Sequence, residues 1–170
     1  MRREIRSAQN VSRMCLVCGV DNETGLKARF FVLDNGELAG VFDPREEHQG
    51  YPGRVHGGVV AAILDETIGR AINVAETETW GVTVEFTVRF RRPVPLDREV
   101  KAVGRITRDS RRIFEGTGEI VLADGSVAAE AHGKYLKMPI EDIATAGFSE
   151  TEWFADELPL PAAVDLEQER

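Results

Sequence analysis

The chain has no apolar run long enough to span a bilayer, so no membrane-spanning helix is expected. Its first residues, Met1-Arg2-Arg3-Glu4-Ile5-Arg6, are basic but carry no apolar stretch of the signal-peptide kind; a cytoplasmic protein is the expectation. Basic charge is not in surplus either. The net charge is −8 and is unevenly placed. Residues 139–170 hold nine acids against Arg170 alone, whereas residues 1–138 hold 20 acids and 20 bases. A neutral body excludes the basic face that nucleic-acid binding needs. There is no internal repeat, and 170 residues suit one domain with a sizeable core.

Metal ligands are also scarce. Cys15 and Cys18 form a C-x-x-C pair followed by Gly19, and the three histidines stand far away at 48, 56 and 132. Two ligands do not close a tetrahedral zinc site. A redox motif of this spacing belongs beside a βαβ unit, and no such pattern is found. The pair reads as structural or incidental, with a zinc site shared between two subunits as the sharper alternative. Neither a metal nor a cofactor is expected.

Apolar residues make up 42% of the chain, the proportion of a globular domain. Residues 1–25 read as an irregular or partly helical lead-in. Strands are expected at 26–33 and 37–42 around Asp34-Asn35-Gly36, whose residues tolerate positive φ. A loop rich in turn formers fills 43–55, and a helix is expected over 57–76. Strands follow at 82–90, 98–107, 111–122 and 126–137. In the first of these, Val82, Val84, Phe86, Val88 and Phe90 alternate with Thr83, Glu85, Thr87 and Arg89. One face is therefore apolar, and Thr83 falls on the polar face. Pro139 opens an acidic tail over 139–170, with short helices expected at 140–146 and 150–156 and its last ten residues mobile. Tight turns imply antiparallel neighbours, and the helix is too apolar for the surface. The expectation is α+β: a curved antiparallel sheet of about six strands around one long helix, in a domain over 26–138.

The stretch from His56 to Glu66 carries the chemistry. His56, Gly57 and Gly58 open the apolar helix, and a helix start offers free N–H groups and partial positive charge to a developing oxyanion. On the helix, Asp65 neighbours only Ala61, Ala62, Ile68 and Gly69, none of which pairs with a charge. Glu66 has Arg70 four residues on, which suits a surface ion pair. Asp65 is thus either a functional acid or the partner of an arginine or backbone donor from a strand. His56 is a poor N-cap by residue type; it either stands neutral beside the oxyanion donors or bonds to nearby loop backbone. Together these residues point to acyl transfer, most simply hydrolysis. Gly57 and Asp65 lie eight residues apart, ~12 Å along a helix axis. One carbonyl cannot touch both, so if both serve one reaction, Asp65 comes from a second subunit.

These motifs resemble the hotdog-fold acyl-CoA thioesterases, in particular the phenylacetate-pathway (PaaI-like) group, over about residues 15–137. The likeness rests on Cys15-x-x-Cys18-Gly19 with Asn22 and Gly25-Leu26, and on Gly50-Tyr51-Pro52-Gly53-x-Val55-His56-Gly57-Gly58 leading to Asp65-Glu66. It also rests on the strand 82–90 followed by Arg91-Arg92-Pro93. The resemblance implies a hotdog fold and homodimers joined edge to edge, often paired into tetramers. It implies that the Gly57 N–H polarises a thioester carbonyl, with His56 and Gly58 close by. Asp65 of the partner would attack or activate water, and Thr83 would place a hydroxyl near that carboxylate. Related enzymes often carry an asparagine where this chain has Gly50, and the Gln49 amide is the available substitute. The phosphates of an acyl-CoA substrate call for cations, and Arg91, Arg92, Arg108, Arg111 and Arg112 are the candidates. Two other readings compete: a hotdog hydratase or dehydratase using His48, and a non-catalytic acyl-CoA-binding protein.

Overall fold

A computed structural model describes residues 1–145 and 147–166. The element order is β1 (Arg2–Ala8), β2 (Val11–Ser12), β3 (Arg29–Leu33), β4 (Leu38–Phe42), α1 (Gly57–Ala71), β5 (Trp80–Phe90), β6 (Val100–Asp109), β7 (Ile113–Val121), β8 (Val127–Met138), α2 (Ile140–Ile143), β9 (Trp153–Phe154) and β10 (Ala163–Asp165). The main sheet runs β10-β1-β3-β4-β6-β7-β8-β5, with antiparallel pairing throughout. The six expected strands are β3 to β8, and α1 packs against β4 to β8. This is the hotdog fold: one long helix held by a curved antiparallel sheet.

The hairpins form where the sequence permits positive φ: Gly36 has φ +81° and Gly125 has φ +77°. The helix lies close to the sheet because the strands beneath it are stripped of side chains. A Cβ on Gly116 or Gly118 would stand 2.6 or 2.9 Å from Ile68, which is itself wholly buried. Val60, Ile63, Leu64 and Ile68 of α1 meet Phe30, Phe114, Ile120 and Tyr135 from the sheet in one core.

The chain's two ends depart from expectation. The lead-in is strand in its first half and irregular over 13–25, as expected there, with no helix: β1 adds to the sheet beside β3, and β10 adds outside β1. Arg2–Ala8 has one large apolar residue, Ile5, so no periodicity announces it; tertiary pairing decides its conformation. Within the tail expected to be mobile, Val164 is 4% exposed in a small cluster with Phe31, Leu33 and Ala39. Residues 167–170, which end that tail, lie outside the described residues, as does Ala146 at the end of the expected 140–146 helix. The helix expected over 150–156 is a π-helical turn, Phe148–Glu152, followed by β9 paired with β2. Among the described residues, no helix is long and apolar enough to cross a membrane.

Candidate active site

The tip of α1 is exposed, and His56 caps it. The His56 Nδ1 accepts the Gly58 N–H at 2.9 Å. His56 thus caps the helix although its residue type is a poor N-cap, and the bond to nearby backbone, the plainer of the two readings of His56, is present. It also commits the Gly58 N–H. Among the described residues, no acceptor meets the Gly57 N–H, which leaves it as the free donor at the tip. Gly50 packs against His56: a Cβ there would stand 3.1 Å from the His56 Cα, so the asparagine of related enzymes does not fit without movement. The Gln49 Oε1 accepts the Gly53 N–H at 3.0 Å, which holds the loop rather than leaving that oxygen free for water.

Asp65 is half-buried one helical stretch away. Among the described residues, it meets neither an arginine nor a backbone donor. The Thr83 hydroxyl donates to its two oxygens at 2.9 and 3.2 Å, and the Tyr135 hydroxyl lies 3.0 Å from Oδ1 and 3.1 Å from the Asp65 carbonyl. Burial pushes the Asp65 carboxyl above its ordinary range, and the two hydroxyls only partly offset this. Among the described residues, no cation pairs with the carboxylate. The same surroundings push the Tyr135 phenol upward, so it stays a donor.

Thr83 reaches Asp65 because of a β-bulge. The register of β5 on β8 shifts between Thr83 and Glu85: Thr83 sits opposite Tyr135, while Phe86, Val88 and Phe90 sit opposite Gly133, Ala131 and Ala129. The extra residue, Val84, is turned outward and is 56% exposed. Strict alternation places Thr83 on the face away from the phenylalanines; the bulge returns it to their side, toward the helix. Phe86 and Val88 pack on the core, whereas Val84 does not. Tyr135 escaped the sequence reading. Its signal was a stripe of small residues at period two, Ala129, Ala131 and Gly133, which marks the seat of the helix and continues to Tyr135.

The helix tip and Asp65 are apart in one chain. A Cβ on Gly57 would stand 3.5 Å from the Phe90 ring, whereas Asp65 binds Thr83, seven residues earlier on the same strand. The arginines divide likewise. Arg91 and Arg92 follow the Phe90 end of β5. Arg108, Arg111 and Arg112 flank the β6–β7 turn, at the end where Ile113 aligns with Leu136 and Val82. Arg91 pairs with Glu130 at 2.9 Å, Arg92 approaches Asp124 at 4.0 Å and Arg108 approaches Glu115 at 3.6 Å, all at the surface. His48 is not available for catalysis: it is 4% exposed, its Nδ1 accepts the Arg45 N–H at 2.9 Å, and its Nε2 lies 2.8 Å from the Thr24 carbonyl.

Asp65 and Thr83 line a cavity of about 280 Å³ whose far wall is Trp80, Phe148 and Trp153. These three rings contact one another at centroid distances of 5.0 to 5.8 Å. Cys15, Cys18, Glu66 and Arg70 form another wall. Arg70 pairs with Glu66 at 2.7 Å as its spacing suggested, but not at the surface. It is 6% exposed, with its guanidinium lying over the Phe30 and Trp153 rings.

Comparison with known proteins agrees with this architecture. The family model described as Thioesterase superfamily matches residues 52–129. An acyl-coenzyme A thioesterase, THEM4 of Bos taurus, is 25% identical over 127 residues, covering 72% of this chain and 52% of its own. The chain thus spans about half the length of that curated relative. Among solved structures, a thioesterase superfamily protein, RHA08564, superposes with a TM-score of 0.67 at 30% identity, over 72% of this chain and 63% of that one. The E. coli PaaI protein from the phenylacetic acid degradation operon superposes with a TM-score of 0.60 at 18% identity, over 66% and 80%.

Proposed function

We propose that this chain, a hotdog-fold relative of the thioesterase superfamily, hydrolyses an acyl-CoA thioester to the free carboxylic acid and CoA. The observation that carries the reading is the Asp65 carboxylate: half-buried, without a cation, and held by two hydroxyls at the wall of a largely apolar cavity. An aspartate so placed is costly to keep charged and is suited to take a proton from water or to attack a carbonyl. The free Gly57 N–H at the positive end of α1 supplies the complementary part, a donor for the oxyanion of the tetrahedral intermediate.

The site is shared between two copies. β5 is the sheet's edge strand, eleven residues long, with Val84 and Phe90 exposed at 56% and 55%. Such an edge invites pairing with another strand. If two β5 strands pair antiparallel about a two-fold axis near Phe86 and Thr87, the Phe90 end of one meets the Thr83 end of the other. Gly57 of one protomer then faces Asp65 of its partner, and the two arginine groups also meet. Acyl-CoA binds with its carbonyl on Gly57, and Arg91 and Arg92 hold phosphate at the mouth. Asp65 from across the seam activates water or forms an acyl anhydride; CoA leaves as the thiol. The free thiols of Cys15 and Cys18 fit a cytoplasmic location.

The test uses two inactive variants. Gly57→Pro removes the N–H, and Asp65→Asn removes the carboxylate. Mixed at equal ratio after subunit exchange, they regain about a quarter of parental thiol release. Half of the dimers are then hybrids, each with one intact composite site. No recovery after verified exchange would reject the shared site. Tight acyl-CoA binding without turnover by the parent protein would reject hydrolysis and favour a binding role.

A further inference from the structure

We propose that Cys15, Cys18 and Glu66 form a site for a thiophilic divalent cation, zinc in preference to magnesium or calcium, in the cavity wall that also holds Asp65. This revises the expectation of a metal-free chain drawn from the cysteine count. The third ligand is neither a histidine nor a second subunit's residue but a carboxylate that α1 brings to the pair.

The three ligand atoms lie within 4.8 Å of one another. Ligands on a tetrahedral zinc ion stand roughly 3.5–3.8 Å apart, so closure needs about 1 Å of side-chain movement. The Cys15–Gly19 turn is already shaped for a thiolate. The Cys15 sulfur accepts the Val17 N–H at 3.3 Å and also the Cys18 N–H, and the Gly19 N–H closes the turn on the Cys15 carbonyl at 2.9 Å. A Cβ at Gly19 would overlap the Cys15 backbone, which explains the glycine after the second cysteine.

Arg70 supplies the outer partner. Its Nη2–H donates to the Cys18 sulfur at 2.8 Å and its Nε–H to Glu66 Oε1 at 2.7 Å. Among the described residues, Glu66 Oε2 has no hydrogen bond, which leaves it available to an ion. With both thiols giving up their protons on metal binding, two thiolates, a carboxylate and a guanidinium would sum to −2, the charge that one divalent cation neutralises. Two sulfurs among three ligands select zinc-like ions over hard cations. Three protein ligands leave the fourth position open toward the cavity.

The experiment uses the full chain, reduced and stripped of metal by a chelator, then titrated with Co²⁺ and afterwards Zn²⁺. One equivalent of cobalt should bind with a thiolate-to-cobalt charge-transfer absorption, and zinc should displace it. Zinc should also protect both thiols from a thiol reagent until chelator is added. Cys15→Ser and Cys18→Ser should each abolish the band, and Glu66→Gln should weaken zinc binding by about tenfold or more. Should the serine variants fail to fold, thiol protection in the parent decides the matter alone. Free reaction of both thiols in the presence of zinc, or air oxidation to a Cys15–Cys18 disulfide with no metal uptake, would overturn the proposal. So would undiminished zinc binding by a folded Cys15→Ser. None of these readouts depends on thioester hydrolysis, so this site and the proposed activity fail separately.

Discussion

The tip of α1 and its middle are built on opposite principles. At Gly57 the functional group is main chain, exposed, and shaped by an imidazole that takes up the neighbouring N–H. At Asp65 it is a side chain, half-buried, and shaped by hydroxyls from two strands. One end offers a donor and the other an acceptor, yet both contact the same strand, at positions seven residues apart. In the proposed function each end is half of an acyl-transfer site; a single chain does not bring the halves together, and the proposed two-fold copy, by reversing the strand, would.

The largest effect expected from breaking this arrangement is at Asp65. Asp65→Asn should lower turnover by up to about 10⁴-fold, because the base or nucleophile is gone while the shape remains. Stability should move the other way. The folded-state pKa of Asp65 is raised, so the folded protein holds this proton more tightly than the unfolded chain does. The associated stability is full below the ordinary aspartate pKa and is lost as pH rises through the raised value. At neutral pH the charged aspartate is therefore a burden, and Asp65→Asn should melt at the same or a higher temperature than the parent. A dead variant that also melts much lower would mean that Asp65 is structural.

The tip should respond less strongly. Gly57→Pro should cost about 10²–10³ in turnover, the loss of one oxyanion donor. Proline is tolerated at the first helical position, where no intrahelical acceptor awaits its N–H. The preceding residue already suits it: His56 has φ −61° and ψ +137°. Gly57→Ala keeps the N–H, and its Cβ would meet Phe90 at an ordinary 3.5 Å, so it should retain most activity. Equal losses in the proline and alanine variants would show that space matters at the tip and the donor does not.

Most of the tip was readable in the sequence, because a helix start with two glycines is a local event. The acid was readable only by subtraction: Asp65 has no helical partner and Glu66 has one. What holds Asp65 was not readable. Thr83 depends on a bulge at Val84, and nothing in an alternating Val-Thr-Val-Glu-Phe pattern shows which residue the partner strand will skip. Tyr135 arrives from β8, 70 residues away, and Arg70 is buried by Phe30 and Trp153 from the two flanks of the domain. Local chemistry was visible, and the support that tunes it, being tertiary, was not.

That support gives the next prediction. Tyr135→Phe removes a donor to Asp65 Oδ1 while keeping the ring stacked on Phe114 at 4.9 Å. Losing a hydrogen bond to the charged form should raise the Asp65 pKa further. The acid limb of the rate profile should therefore move to higher pH, with turnover at neutral pH lower by about tenfold, in keeping with one hydrogen bond to a charged group. Thr83→Val should shift the limb in the same direction. A uniform loss across pH with no shift would make these residues packing elements only.

The smallest effects should come from the arginines, and they bear on the comparison because the two groups belong to the two ends of β5. Arg91 and Arg92 are exposed and lie at the Gly57 end. Alanine at both should raise KM several-fold and leave kcat unchanged, since solvent-exposed pairs with phosphate are worth only about 0.2–1 kcal/mol each. The increase should shrink as salt is added, because screening already weakens the wild-type contact. Arg111 and Arg112 lie at the Thr83 end and reach the same ligand only across the two-fold. If alanine at both also raises KM in the dimer, one bound CoA touches both ends of the strand, which only a reversed second copy permits. If KM responds to the first pair alone, the phosphates stay on the protomer that supplies Gly57, and the partner contributes its carboxylate and no more.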